Sequence, residues 1–189
     1  MKTHSHPSSL QTSPGNPLPL GATVSEKGVQ FSLFSRHATS IILQLFSSSN
    51  DTEPSHEITL DPESNKTGDL WHIFIEGIRP GQLYGYRVDG PYRPREGGMR
   101  FNKNKLLLDP YTRAVTGNFN WDLSDARSYD INSPEGDLSF CTIDSAGGAP
   151  KCIVLDTSFD WGDDRPLKIP MKDTIIYETH IRGLTRHPS

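Results

Sequence analysis

Tyr84-Gly85-Tyr86-Arg87-Val88-Asp89-Gly90-Pro91 carries the reading on which the fold turns. Tyr84, Tyr86 and Val88 alternate with Gly85, Arg87 and Asp89, the two-residue period of a strand with one buried face. Gly90-Pro91 then ends it, because a proline cannot donate to a ladder and a glycine admits a turn. Upstream the same period recurs. Val29, Phe31 and Leu33 alternate with Gln30 and Ser32, and Trp71, Ile73 and Ile75 alternate with His72 and Glu76. An apolar run, Ile41-Ile42-Leu43-Gln44-Leu45-Phe46, and a shorter one, Glu57-Ile58-Thr59-Leu60, lie between them, separated by the turn-forming stretch Ser47 to Pro54. Short strands at regular spacing with Gly, Pro, Asn and Asp punctuation predict a mainly β, antiparallel sandwich. An open barrel is the alternative, because strand count does not decide closure. Lys105-Leu106-Leu107-Leu108-Asp109, halted by Pro110, reads as a turn or two of helix over one end.

Composition agrees with many turns. The chain holds 16 glycines and 15 prolines among 189 residues, above the usual combined share of roughly 12%. The formal net charge of −4 argues against a general nucleic-acid binder, whose phosphate-tracking surface is strongly basic. No run approaches the roughly 20 apolar residues of a membrane span, and none near the N-terminus has the apolar core of a signal peptide. A cytoplasmic protein follows as the expectation. Cys141 and Cys152 are too few for a disulfide scaffold and wrongly spaced for zinc. They are either two reduced thiols or one local disulfide.

Met1 to Leu20 mixes Ser, Thr, Pro, His and Asn without periodicity and reads as a flexible leader. Residues 117–150 are irregular, as a functional loop or an interdomain connector would be. Ile175-Ile176-Tyr177, apolar on both faces, suits a strand buried on both sides, as in a parallel sheet or barrel.

No nucleophile elbow, phosphate loop, paired-His zinc signature or dinucleotide loop is present; no cofactor, metal site or catalytic residue is expected. Asp160, Asp163 and Asp164 cluster beside Arg165 and Pro166; they read as a turn with Asp163 or Asp164 facing the arginine, or as a metal or acid–base site. Glu178 and His180 share a strand face, as a buried polar pair or as an acid with a positioned histidine. Arg87 to Lys105 is locally basic, with Tyr92 and Phe101 interleaved, which fits a solvated or interdomain loop more readily than a phosphate contact. Trp71, Tyr84 and Tyr86 are core candidates by alternation. Trp71, Trp121 or Trp161 could instead offer a flat apolar face to a sugar ring.

Several stretches together resemble the N-terminal region of isoamylase-type glycogen and starch debranching enzymes, of the α-amylase superfamily. These are Pro19-Leu20-Gly21-Ala22-Thr23 with Val29 to Ser35, Tyr84 to Tyr92, Arg100 to Tyr111, Asp160 to Pro166, and Ile176 to Thr185. In one order over residues 18–186, they form a specific pattern. The resemblance implies an immunoglobulin-like β-sandwich of the carbohydrate-binding-module type, then a (β/α)8 barrel whose first strand matches Ile175 to Ile181. It implies a division into a leader (1–17), a sandwich (18–116), a connector (117–172) and the start of the barrel (173–189). Its chemistry is retaining hydrolysis of α-1,6 branch points by two carboxyl groups about 5–5.5 Å apart, borne by later barrel strands. No residue here matches either, so this chain alone is expected to be inactive. The implied partners are α-glucan and the barrel on which the sandwich packs, with no nucleic acid and no membrane. A stand-alone α-glucan-binding or regulatory module is the alternative.

Overall fold

The computed structural model describes residues 10–123, 125–184 and 186. They divide into two compact units, one running to Asp156 and one from Thr157 onward. The strands of the first, in chain order, are β1 (Thr12–Ser13), β2 (Gly21–Val24), β3 (Gly28–Phe34), β4 (Ser40–Phe46), β5 (His56–Thr59), β6 (Lys66–Thr67), β7 (Leu70–Glu76), β8 (Leu83–Asp89), β9 (Tyr92–Arg93), β10 (Met99–Arg100) and β11 (Cys152–Ile153).

Two antiparallel sheets result. In one, the order is β1-β7-β3-β2, with β6 also on β7; in the other it is β11-β8-β4-β5, and β9 and β10 form a separate hairpin. The period-two pattern sets the register. Leu33 faces Trp71, Phe31 faces Ile73 and Val29 faces Ile75 across β3 and β7, while Leu43 faces Tyr86 and Leu45 faces Tyr84 across β4 and β8. All of these turn inward and merge with Cys152 and Val154 into one core. Phe31 and Tyr84 join the sheets, ring edge to ring face at 5.0 Å. Each large side chain buried there contributes about 1.5–3 kcal/mol. The architecture is the expected sandwich, and the five runs become β3, β4, β5, β7 and β8.

The outer faces are not the solvated surfaces that the alternation implies. Gln30, Ser32 and His72 on one sheet and Gln44 and Arg87 on the other are buried. Residues 12–17, expected to be a flexible leader, cover the first set. Thr12 and Ser13 pair with Ile75 and Phe74, and Gln30 exchanges hydrogen bonds with the backbone of Asn16 at 2.9 and 2.7 Å. Ser32 Oγ donates to Pro17 O at 2.6 Å. His72 Nδ1 donates to Pro14 O, an acceptor only, at 2.8 Å, and Nε2 shares a hydrogen bond with the Thr67 hydroxyl at 2.9 Å. Residues 1–9 of the expected leader lie outside the described residues.

Residues 101–151 cover the second sheet. Leu106 packs against the bare Gly85, where a Cβ would stand 2.7 Å from its Cδ1. Leu107 pairs with Tyr86 through both backbone groups, at 3.0 and 2.8 Å. Residues 105–109 are therefore extended, not helical: two main-chain bonds to a strand and a socket for Leu106 outweigh the local preference of a Leu run. The stretch expected as a connector from residue 117 belongs to the sandwich unit as far as Asp156, because β11 pairs with β8 through Cys152–Tyr84 and Ile153–Leu83. Both cysteines are free and buried.

In the second unit, Met171–Asp173 forms a 3-10 turn and α1 (Ile181–Leu184) a single helical turn. Residues 174–180 have no strand partner among the described residues, and Ile181 sits in α1 where the end of a strand was expected. Ile175, Ile176 and Tyr177 are 96%, 74% and 80% exposed. Among the described residues no helix is long and apolar enough to cross a membrane.

Candidate functional site

The three tryptophans singled out from the sequence have different fates. Trp71 is 1% exposed and its Nε1 donates to Ser35 O at 3.0 Å. It is a core residue, and its indole is closed to any sugar ring. Tyr84 and Tyr86 are interior as well. Trp121 and Trp161 are 60% and 66% exposed. Each leans on the phenylalanine two residues earlier with ring centroids 4.8 Å apart, Phe119 and Phe159 respectively. The residue between them shapes both corners. Asn120 Oδ1 accepts the Asp122 amide at 3.0 Å and Asp160 Oδ1 the Gly162 amide at 2.8 Å, the Asx-turn these side chains favour.

The first corner is anchored on the sandwich unit's own core. Phe119 packs on the cluster of Phe46, Leu106, Ala146 and Ala149. Asn120 N donates to Gly148 O at 2.8 Å, and a Cβ at Gly148 would stand 2.4 Å from Asn120 O. The close approach requires a glycine there. Over the indole, the Arg127 guanidinium sits 5.9 Å from the ring centroid. It is locked by Asp125, with Nη2 to Oδ2 at 2.7 Å and Nε to Oδ1 at 2.9 Å. Hydrogen bonds from Arg127 hold the Asp125 carboxyl below the usual carboxylate range. An exposed indole backed by a fixed ring, with a guanidinium over it and a carboxylate paired to that guanidinium, presents apolar area and hydrogen-bonding groups side by side.

Buried cations hold this surface in place. Lys105 Nζ reaches Asp125 O at 2.9 Å, Ile143 O at 2.8 Å and Cys141 Sγ at 3.3 Å. Lys151, fully buried, donates to Ala146 O at 2.6 Å and Ala149 O at 3.0 Å, with its ammonium 5.1 Å from the Phe46 ring centroid. Burial lowers its pKa. Arg87 joins Gln44 Oε1 at 2.9 Å, Lys103 O at 3.1 Å and the Asp144 carboxylate at 2.8 Å. Arg100 pairs with Asp137 at 3.1 Å. The basic run from Arg87 to Lys105 is thus engaged largely by carbonyls and carboxylates of residues 103–144, which leaves little charge for phosphates.

The remaining candidates do not assemble. Among the described residues no ion pair joins Asp163 or Asp164 to Arg165, and no group of three His, Cys, Asp or Glu residues could hold a metal ion. Glu178 and His180 are exposed rather than a buried pair; His180 Nδ1 accepts Gly183 N at 3.2 Å at the start of the helical turn. Phe119, Asp125 and Arg127 were not singled out from the sequence. The repeated Phe-Asx-Trp spacing was the available signal for the first; the ion pair two residues apart had none.

Residues 19–112 match the family described as carbohydrate-binding module 48, isoamylase N-terminal domain. The module accounts for β2 to β10, and the Trp121 corner lies just beyond it. The glycogen debranching enzyme of Serratia proteamaculans (strain 568) is 45% identical over 179 residues, covering 94% of this chain and 25% of the enzyme. That of Yersinia enterocolitica is 44% identical over 176 residues, 92% of this chain and 24% of the enzyme. This chain thus spans about a quarter of the length of the curated relatives it matches. Among solved structures, apo pullulanase from Paenibacillus barengoltzii aligns at 20% identity and a TM-score of 0.54 over 93% of this chain and 21% of that one. That likeness is one of fold.

Proposed function

We infer that this chain is the accessory N-terminal part of a glycogen debranching enzyme and that it contacts α-glucan at the Trp121 corner. The observation that carries the first half is the identity of 44–45% over nearly the whole chain, aligned with only a quarter of each relative. The activity of the whole enzyme is hydrolysis of α-1,6 branch points, and its two carboxyl groups belong to a barrel on which the sandwich packs. No residue described above is assigned to that chemistry. The protein works in the cytoplasm, where the buried thiols of Cys141 and Cys152 remain reduced.

At the glucan contact, the Trp121 indole covers the C–H face of a glucose ring, Phe119 keeps the indole from collapsing inward, and Arg127 and Asp125 meet the ring hydroxyls. The wide exposure of a rigidly backed tryptophan supports this role. Native electrophoresis through glycogen tests it: the chain should be retarded, and Trp121→Ala should abolish most of the retardation without changing the thermal midpoint. Equal migration of parent and variant in glycogen would remove this surface from consideration. Joining the chain to the remaining three quarters of the Serratia proteamaculans enzyme should restore reducing-end release from branched glucan; a stable, inactive joined protein would overturn the accessory reading.

A further inference from the structure

Lys105 Nζ lies 3.3 Å from Cys141 Sγ, and the two residues are 4% and 3% exposed. That separation falls in the near-attack range for two reacting atoms, about 3–3.5 Å. Main-chain bonds hold the cysteine there: its amide donates to Ser128 O at 2.9 Å and its carbonyl takes Asn102 Nδ2 at 2.8 Å. Asn102, Lys105 and Ser128 also line an open cleft of about 470 Å³, which brings solvent to the residues around the sulfur. A buried thiol is ordinarily inert, and Cys152 fits that description. It is fully buried, burial raises its pKa, and its sulfur takes the Asp109 amide at 3.2 Å. An amide nitrogen, its lone pair delocalised into the peptide bond, is a poor nucleophile. Cys141 differs in carrying a primary amine on its sulfur.

We propose that hydrogen peroxide joins Lys105 to Cys141 in a reversible sulfur–nitrogen bond, and that this modification loosens the Trp121 corner. Peroxide first oxidises the thiol. Its O–O bond breaks, one oxygen stays on Sγ as a sulfenic acid, and the other leaves as water. Nζ then attacks Sγ, and the N–S bond forms as the S–O bond breaks. One ammonium proton leaves with the hydroxyl as water, and a second passes to solvent. Sulfenic acids condense with nitrogen in this way. Two thiols restore the lysine and the cysteine and are themselves oxidised to a disulfide. The bridge therefore forms when peroxide outruns the cytoplasmic thiols that otherwise keep Cys141 reduced.

The effect on the corner follows from the loss of donors. The ammonium donates to Asp125 O at 2.9 Å and to Ile143 O at 2.8 Å. The joined nitrogen retains a single N–H and cannot hold both. Asp125 bears the carboxylate that fixes Arg127 over the indole, so the carbonyl released on one side unsettles the ion pair on the other. This consequence rests on the glucan reading of the corner; the cross-link itself does not.

Peptide mass mapping after peroxide treatment of the folded chain tests it. Met171, 74% exposed, reports the dose by its conversion to the sulfoxide. The expected product is a pair of peptides joined through Lys105 and Cys141, two hydrogens lighter than their sum and separated by dithiothreitol, with Cys152 still a thiol. Cys141→Ser should form no such pair. Lys105→Arg, which keeps a cation there, should instead carry Cys141 on to the sulfinic acid, which dithiothreitol does not reverse. In glycogen gels the oxidised chain should lose most of its retardation and regain it with dithiothreitol, while Cys141→Ser should be indifferent to peroxide. Cys141 unchanged at a dose that oxidises Met171 overturns the proposal. So does a Cys141–Cys152 disulfide, or sulfinic Cys141 as the main product of the parent. A cross-linked chain retarded as before overturns the connection to the corner. A parent chain that glycogen never retards removes the glucan reading, and the mass map still decides the cross-link, so the two failures are separate results.

Discussion

Residues 101–151 and residues 157–180 are both nearly devoid of regular structure, and both are punctuated by Asp, Gly, Pro and Ser. The first stretch is built into the sandwich unit; the second is exposed almost throughout. Local turn chemistry does not separate them. Asn102, Asp109, Asn120, Asp130 and Asp144 each accept the amide two residues on, and Asp160 does the same in the second stretch. The difference lies in what reaches inward. In 101–151 the ammonium groups of Lys105 and Lys151 collect main-chain carbonyls, while Leu106, Ala146 and Ala149 enter a small core with Phe46. In 157–180 Arg165, Lys168 and Lys172 all stay in water. Irregular chain acquires a fixed shape when long cationic side chains turn inward and satisfy carbonyls that no ladder takes.

Lys151→Met breaks that comparison most directly. It leaves Ala146 O and Ala149 O without their donor, and hydrogen bonds to a charged group are worth about 1.5–3 kcal/mol each. A loss of roughly 3 kcal/mol in a urea titration is expected, against less than about 0.5 kcal/mol for the surface control Lys172→Met. Equal losses would mean that the buried ammonium is not what organises the segment.

Gly148→Ala sharpens it at one point. The added Cβ would meet Asn120 O at 2.4 Å and the Phe119 ring at 3.2 Å, so the Trp121 corner must move. Overpacking of this kind costs about 1–3 kcal/mol, and a shift in tryptophan emission should accompany the lower midpoint. Unchanged emission with unchanged stability would show that the corner is not clamped.

The sandwich was legible because β3, β7 and β8 are long enough to show a period of two and β4 is an apolar run, and their inward apolar residues are the ones that merge into the core. β1, β6 and β11 are two residues each, too short for any period; tertiary pairing makes them strands. The leader's role was hidden for the same reason, since Pro14, Asn16 and Pro17 act through main-chain oxygens that no side-chain pattern reveals. Lys105 to Asp109 misled because three leucines in a row favour a helix locally, while Gly85 and the Tyr86 main chain offered an extended partner. At the candidate surface Trp121 was visible as a residue type. Its setting depends on Gly148, nearly thirty residues away, and on Lys105, and such distances carry no local signal.

A smaller effect concerns Asp109, whose side chain accepts the Tyr84 hydroxyl at 2.9 Å. Burial raises its pKa above the ordinary 3.8. The native state then holds this proton more tightly than the unfolded chain, so the stability that the group contributes is present at low pH and is lost as pH climbs from 3.8 through the raised value. Asp109→Asn keeps an acceptor for Tyr84 but cannot titrate. Measured from pH 3 upward, the stability of the parent relative to the variant should fall with rising pH. A parent that gains on the variant as pH rises would reverse the sign of the burial argument.

The smallest expected change in stability comes from the exposed stretch itself. Ile175 and Ile176 are 96% and 74% exposed and belong to a segment with no strand partner among the described residues. Replacing both with serine removes apolar surface that contributes nothing to the folded unit, so the thermal midpoint should move by no more than the equivalent of about 0.5 kcal/mol. Self-association should change instead. Contiguous exposed apolar side chains mark an interaction surface or an aggregation liability, and an extended segment with unpaired N–H and C=O groups is a template for pairing between chains. Light scattering at rising concentration should therefore show the double variant more monomeric than the parent. A clear drop in the midpoint would mean that Ile175 and Ile176 pack on something within the chain, and the contrast between the two irregular stretches would narrow to one of degree. Unaltered association with an unaltered midpoint would leave the exposed isoleucines without a role in this chain and place its self-association elsewhere.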